Sequence, residues 1–408
     1  MKIAVIGAKG LPAQQGGIEQ HCAEICARMA SWGHEVDLFA RPSYNSTSWF
    51  SCESYQGIRV ITLPSLPIRG IDAFLNSALG AISTIGRKYD VIFFHALGPS
   101  LFSWLPKLFT SSRVISVCHG LDWQRAKWGK ISSMMLQLGE RTAAHHADEI
   151  IVVSHALQSY FSKVYNRQTT YIPNAPAEYT ASDPDFNYGH ALGLTPGKYV
   201  LFLGRLVPEK CPDLLFEAFN NLQPAGWKLV FVGGGSDTEE FSTKLQHHAA
   251  GQSNIVFTGQ LSGAYLAEIV RGSGLFALPS DLEGLPLAML EAMREGVPVL
   301  ASDIPVHKQL LGDERGVLFK AGDLDSCIEA LDWSINNPSA LSKMALASKL
   351  HIQQNYDWDT ITSDTLSLCP KTISNKTDIT AEPLNLRSSI VGKDTEGITM
   401  PIISAQSE

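Results

Sequence analysis

The chain of 408 residues is short of charge: Asp, Glu, Lys and Arg make up 18% of it, where ordinary globular domains carry about a quarter. With 32 basic and 40 acidic residues the formal net charge is −8. That balance excludes a globally basic nucleic-acid surface and leaves room only for a local basic pocket. Cysteine is sparse and scattered, at Cys22, Cys26, Cys52, Cys118, Cys211, Cys327 and Cys369, with no CxxC pair. Such a set is no disulfide framework and favours a reducing compartment; Cys22 and Cys26, four apart, read as buried free thiols on a helix. No stretch approaches the ~20 uninterrupted apolar residues of a membrane-spanning helix. The N-terminus lacks the long apolar core and small-residue cleavage site of a secretory signal. A cytoplasmic protein is expected. No HxxxH spacing occurs, His145 and His146 would point to different sides of a helix, and no metal is expected.

What is present is a repeating alternation. Apolar residues make up 45% of the chain, enough for large cores. Lys2–Gly7 is a short apolar run ending in glycine, as a buried parallel strand would be. A helical pattern over about 18–32 follows, closed by Gly33, and then a strand at Glu35–Ala40. Similar runs recur at Val91–Phe94, Val114–Val117 and Glu149–Val153. The alternation restarts with Tyr199–Leu203, a helix near 212–220, Lys228–Val232, Ile255–Phe257, Leu275–Leu278 and Pro298–Ala301. Strands alternating with helices predict an α/β fold of two doubly wound parallel-sheet domains. The Pro-rich run Ile172-Pro-Asn-Ala-Pro176 marks the linker. We therefore expect an N-terminal domain at 1–175, a C-terminal domain at 176–355, a final helix near 356–366 packing back on the first domain, and a mobile tail at 371–408.

Open α/β sheets bind ligands at the carboxyl ends of their strands, and three sequence features fall there. Gly7-Ala-Lys-Gly10 with Gly16-Gly17-Ile-Glu19 follows the first strand. The glycines admit a ligand to the backbone, and the helix that starts there offers free N–H groups to an anion. A plain strand–helix turn reads equally well. A dinucleotide loop is the rival reading, although the middle glycine of G-x-G-x-x-G is missing; Arg41, after the second strand, would suit a 2′-phosphate. Second, Arg205 and Lys210 flank one loop after Tyr199–Leu203, where a planar fork and a point charge can grip a diphosphate; the bland alternative is a solvated basic pair. Third, Glu283 lies in a loop before Pro286, which suits a first helical turn, and Glu291 lies within the helix. Two carboxylates beside an anion site suit a hydroxyl-rich ligand, and helix capping is the alternative.

In these places the sequence resembles the retaining glycosyltransferases of the GT-B fold, specifically family 4. The GG-x-E loop, the G-R-x-x-x-x-K segment and the E-x7-E motif of Glu283 and Glu291 stand in the family's order and domains, over about residues 1–365. GAKGLPAQQGGIEQ and HGLDWQRAKWG look like a bacterial rhamnosyltransferase-like subgroup that builds surface polysaccharides. The resemblance implies that Arg205 and Lys210 bind the diphosphate of a nucleotide sugar and stabilise the leaving group. It places Glu283 on the donor sugar, Glu291 on the ribose, and Gly16, Gly17, Gly284, Leu285 and Leu287 around the donor. His119 matches the position of a histidine near the transferred sugar, although the subgroup more often has Asp there. Ala175 stands where Gly is usual, which bears on hinge geometry. Glu19, Asp122, Trp123 and Arg125 are candidates for the acceptor side, with Trp123 or Trp128 stacking on a sugar.

The expectation is thus a metal-independent, cofactor-free transferase that takes a nucleotide sugar as co-substrate and a glycan or lipid-linked sugar as acceptor. A cell-surface role such as exopolysaccharide or O-antigen synthesis, and peripheral contact with the inner membrane, go with it. A nucleotide-sugar epimerase of the same fold and an NADP-dependent oxidoreductase are the alternatives. For Leu101–Phe109, apolar with the single cation Lys107, core packing is expected over membrane contact because Pro106 interrupts a long amphipathic helix.

Overall fold

The computed structural model describes residues 1–370 apart from 14–15, 46–47, 67, 69, 126 and 236–238, and the side chains of 43, 45 and 239. The predicted tail at 371–408 lies outside the described residues.

The first sheet has eight strands: Lys2–Ile6 (β1), Glu35–Ala40 (β2), Cys52–Tyr55 (β3), Ile58–Thr62 (β4), Val91–His95 (β5), Arg113–Cys118 (β6), Glu149–Val152 (β7) and Thr170–Tyr171 (β8). Their spatial order is β3-β4-β2-β1-β5-β6-β7-β8. All neighbours run parallel except β3, which pairs antiparallel with β4 at the edge. The second sheet contains Tyr199–Leu203 (β9), Lys228–Val232 (β10), Ile255–Gly259 (β11), Leu275–Leu278 (β12), Val299–Ser302 (β13) and Val317–Phe319 (β14). Its order is β11-β10-β9-β12-β13-β14, and its neighbours are parallel. Two Rossmann-like parallel-sheet lobes result. In both, the strand order reverses beside the first strand of the lobe, which opens a crevice at the carboxyl ends of β1 and β9.

Alternation along the strands explains the layering. Ile3 and Val5 of β1 join one buried cluster while Ala4 and Ile6 join another on the opposite face, as the two-residue period of a strand covered on both faces requires. Helix Gly17–Ser31 covers the first face with Cys22, Ile25, Cys26 and Met29, an i, i+3, i+4, i+7 stripe. Both thiols are free and fully buried, and burial pushes that of Cys26 up to about 12, so they act as small apolar residues.

After the second lobe the chain returns. Helix Trp358–Ser367 starts with the Asp357 carboxylate accepting from the Thr360 amide at 2.8 Å, an ordinary N-cap. Trp358 and Ile361 are buried in the cluster built on β1 and the first helix, and Asp359 meets Arg28 of that helix at 2.7 Å. One expectation holds only in part: in Leu101–Phe109, Phe102, Leu105 and Pro106 pack inward, whereas Trp104, Leu108 and Phe109 are exposed. Pro106 lies in a helix of only six residues, Trp104–Phe109, too short to turn all of its apolar side chains inward.

Candidate active site between the two sheets

Two loops from the second lobe and one from the first meet in a small cavity. Its lining includes Gly120, Leu121 and Arg125 after β6, Arg205, Glu209 and Lys210 after β9, and Leu282, Glu283 and Gly284 after β12. The Arg205–Lys210 and Glu283 features, far apart in sequence, therefore share one site with Arg125 of the facing lobe. Lys210 ends a one-turn 3-10 segment, Pro208–Lys210, and its Nζ lies 2.5 Å from Glu283 Oε1. The Ser280 hydroxyl donates to the same oxygen at 2.9 Å. Burial opposes the charge of Glu283, but Lys210, helped by Ser280, prevails and holds the carboxyl below its ordinary value. The Asp281 amide donates to the Glu209 carbonyl at 3.0 Å, tying the two loops together.

The lobes touch through glycine. A Cβ on Gly284 would come within 1.8 Å of the His119 carbonyl oxygen, and one on Gly17 within 3.3 Å of a Leu287 methyl. Gly284 is thus a place where two backbones approach more closely than a side chain permits. Leu285 is buried and Leu287 opens helix Leu287–Glu295, with Pro286 as its N-cap rather than within its first turn. Within that helix Glu291 accepts a hydrogen bond from the Tyr179 hydroxyl at 2.7 Å. Burial raises its carboxyl to about 7 in spite of that bond.

The acceptor-side candidates divide. Asp122 pairs with Arg125 at 3.1 Å beside the cavity. Trp123, a candidate stacking face, is held by its edge: its Nε1 donates to Glu140 at 2.8 Å, and Glu140 also takes the hydroxyls of Tyr160 and Tyr165 at 2.7 Å each. Glu19 turns inward and is buried; it accepts from the Lys9 amide at 3.1 Å, and its carboxylate occupies the space a Cβ on Gly16 would need. Its place is to brace the glycine loop. Arg41 is held by Asp72 at 3.0 Å, which removes the residue that favoured a 2′-phosphate.

Two residues that sequence reading missed surround His119. His95 closes β5, and its Nδ1 lies 3.2 Å from His119 Nε2. His21 lies 4.9 Å from the His119 ring and is fixed by Asn174 at 2.7 Å. Potential ligand nitrogens of the three come within 4.8 Å of one another. The rings of His95 and His119 are nearly coplanar, 22° apart, with centroids at 5.5 Å. At an N···N distance of 3.2 Å they must meet edge to edge, so the facing nitrogens aim at each other, the geometry of a hydrogen bond rather than of lone pairs converging on an ion. Burial lowers all three imidazoles, His21 to about 4, and leaves them neutral at pH 7. The one sequence hint was that His95 and His119 both stand at strand ends. Asp-x-Asp pairs do occur, at Asp183/Asp185, Asp323/Asp325 and Asp357/Asp359. Asp183 accepts from the Asp185 amide, Asp323 and Asp357 cap helices, and Asp359 holds Arg28. None of them lines the cavity.

Comparison with known proteins accounts for both lobes. The family described as Glycosyltransferase Family 4 matches residues 15–175, and Glycosyl transferases group 1 matches 191–351. A D-inositol 3-phosphate glycosyltransferase of Gordonia bronchialis is 25% identical, over 88% of this chain and 86% of its own. A GDP-mannose-dependent alpha-(1-6)-phosphatidylinositol monomannoside mannosyltransferase of Mycobacterium tuberculosis is 24% identical over 88% and 96%. These relatives carry inositol and mannoside names, not rhamnosyltransferase ones. Among solved structures, sucrose-phosphate synthase of Thermosynechococcus elongatus superposes with a TM-score of 0.77 at 22% identity, covering 90% of this chain and 98% of that one. Anabaena HepE in complex with UDP-glucose does so with 0.73 at 20%, covering 90% and 99%. With one glycosyltransferase model matched on each lobe and the sheets arranged as two facing Rossmann-like units, the chain is a glycosyltransferase of the GT-B fold.

Proposed function

We propose that the protein transfers a sugar from a nucleotide-diphosphate sugar to a hydroxyl of a glycan or lipid-linked acceptor, with retention of anomeric configuration, in bacterial cell-surface glycan synthesis at the cytoplasmic side of the membrane. The observation that carries this reading is the meeting of Arg205, Lys210 and Glu283 in one cavity closed by Gly120 and Gly284 of opposite lobes. Arg205 and Lys210 take the diphosphate and stabilise the charge that grows on it as the anomeric C–O bond breaks. Glu283 accepts from a hydroxyl of the donor sugar, and Glu291 from the ribose. The acceptor oxygen forms the new glycosidic bond from the leaving-group side, and its proton passes to the departing phosphate oxygen. The two cations supply the charge that a metal ion would otherwise bring. A rhamnosyltransferase-like specificity rests on the GAKGLPAQQGGIEQ and HGLDWQRAKWG runs alone. The relatives named for inositol phosphate and phosphatidylinositol mannosides support a polyhydroxylated, phosphate-bearing or lipid-linked acceptor.

The test is to incubate the protein with a panel of nucleotide sugars, with and without polyprenyl-linked saccharides, in EDTA. Acceptor-dependent release of nucleoside diphosphate and an α-to-α or β-to-β product are expected. An epimerised sugar formed without acceptor would identify an epimerase instead, and activity restored only by Mg²⁺ or Mn²⁺ would refute metal independence.

A further inference from the structure

Glu209 lines the active-site cavity, and both oxygens of its carboxylate are buried without accepting a hydrogen bond. Burying a polar group without a partner is costly, the more so when it carries charge, and folded proteins rarely keep one without a reason. The cations of the cavity do not relieve it. Lys210 Nζ is taken by Glu283, and Arg125 is paired with Asp122. Nor does Glu209 cap a helix: neither the segment Pro208–Lys210 nor helix Pro212–Leu222 receives a side-chain cap. What holds Glu209 is its backbone, whose carbonyl accepts from the Asp281 amide at 3.0 Å. The main chain is thus fixed to the loop after β12, while the carboxylate is left for a partner that the protein does not itself provide.

Chemistry narrows what that partner is. A carboxylate accepts hydrogen bonds and does not donate them, so its complement must carry an O–H or N–H. A diphosphate held by Arg205 and Lys210 offers acceptor oxygens only, and a carboxylate beside it repels. The ribose belongs with Glu291, two turns further along its own helix. That leaves the sugar joined to the diphosphate, a ring of hydroxyls next to the two cations that stand on either side of Glu209 in the chain. Glu283 lines the same cavity but is already held by Lys210 and Ser280, and it must exchange partners before it can receive a hydroxyl. Glu209 has nothing to give up. Gly120 and Leu121 on the wall belong to the first lobe, so the cavity opens to an entering sugar when the lobes part.

We propose that Glu209 is a specificity-determining residue, which accepts a hydrogen bond from a hydroxyl of the transferred sugar and so distinguishes a nucleotide sugar from the bare nucleoside diphosphate. The proposal rests on the transferase reading and deepens it. Calorimetry on the full-length protein compares UDP-glucose with UDP and GDP-mannose with GDP, in the wild type, Glu209→Gln and Glu209→Ala. Binding of UDP or GDP checks the nucleotide reading by itself, so the two can fail separately. The wild type should bind at least one of the nucleotide sugars more tightly than its diphosphate. Glu209→Ala should weaken that nucleotide sugar by about tenfold or more, the range of a lost hydrogen bond to a charged group. Glu209→Gln, whose amide oxygen still accepts, should weaken it by less. Both variants should bind the diphosphate at least as tightly as the wild type does, because a carboxylate beside the phosphates is gone. Their Tm should hold or rise, since a buried group without a partner has been neutralised or removed. These opposed shifts separate recognition from damage to the fold. A wild type that prefers neither nucleotide sugar to its diphosphate, a preference unchanged in Glu209→Ala, or a lowered Tm with both ligands weakened alike would overturn the proposal.

Discussion

Lys210 and Glu283, 73 residues apart in the chain, hold each other at 2.5 Å and so bind the loop after β9 to the loop after β12. Each is the other's counter-charge in a site with little water around it; their side chains are 16% and 12% exposed. In the proposed reaction, an arriving diphosphate would compete for an ammonium already in use and free Glu283 to accept from the sugar. The pair also bears on stability. The Glu283 carboxyl is held below its ordinary value, so its contribution is complete above the unfolded value and is lost as pH falls through the folded one.

Lys210→Ala should lower kcat by about two to three orders of magnitude, the loss expected when one preorganised partner of a developing anion is removed. It also leaves Glu283 uncompensated, so Lys210→Ala with Glu283→Gln should recover Tm while activity stays low. Steady-state kinetics beside thermal unfolding separates the two effects; near wild-type turnover in folded Lys210→Ala would refute the assignment.

Glu283 and Glu291 should give different kinetic signatures. Glu283→Gln should reduce kcat and kcat/KM together, because its bonds tighten as charge develops at the sugar. Glu291→Gln should raise the donor KM and leave kcat within about tenfold, the mark of uniform binding. Because the Glu291 carboxyl is raised to about 7 by burial, kcat/KM should rise with pH through that value as the better acceptor, the carboxylate, forms. Tyr179→Phe removes the hydroxyl that favours the anion and should move this limb upward. Glu291→Gln should abolish it. A pH profile unchanged in Glu291→Gln would show that another group sets it.

Gly284→Ala should cost about a hundredfold in kcat with little change in Tm. The added Cβ meets the His119 carbonyl oxygen of the opposite lobe, a clash that opening the cleft relieves without unfolding either sheet. If the variant retained full turnover, close approach at this point would be irrelevant to catalysis.

His95 positions His119 through the Nδ1···Nε2 bond of 3.2 Å, so His95→Ala should lower kcat by roughly tenfold, in the range of a lost hydrogen bond of about 1 kcal/mol. His95→Gln, which can still donate, should recover part of it. Equal losses in both variants, or none, would rule out positioning.

The strands that build the crevice were legible because each is a short, largely apolar run between glycine- or proline-marked turns. Tyr199–Leu203, Lys228–Val232 and Leu275–Leu278 stand within the bounds read from sequence. The edge escaped notice: Cys52–Tyr55 is polar and mostly exposed, and the three residues Val317–Phe319 give no period to read. The loops bearing Arg205, Lys210 and Glu283 could be placed at strand ends, but not their pairing, which depends on β9 and β12 being neighbours. His21 lies inside a helix and His95 ends a strand, and neither belongs to a motif. Ile131, Met134, Met135 and Leu138 of helix Lys130–His146 are exposed yet have the same spacing as a core stripe; only the packing tells which side faces solvent.

The chain passes between the lobes twice, at the linker after Tyr171 and again before Trp358, and the hydroxyls of Tyr171 and Tyr356 are hydrogen-bonded to each other there. Two strands of chain side by side behave as the two knuckles of a door hinge. Two tethers fix a line where one would fix only a point, so twist and sideways slip between the lobes are opposed, and rotation about that line would keep Gly284 facing the same peptide of the other lobe.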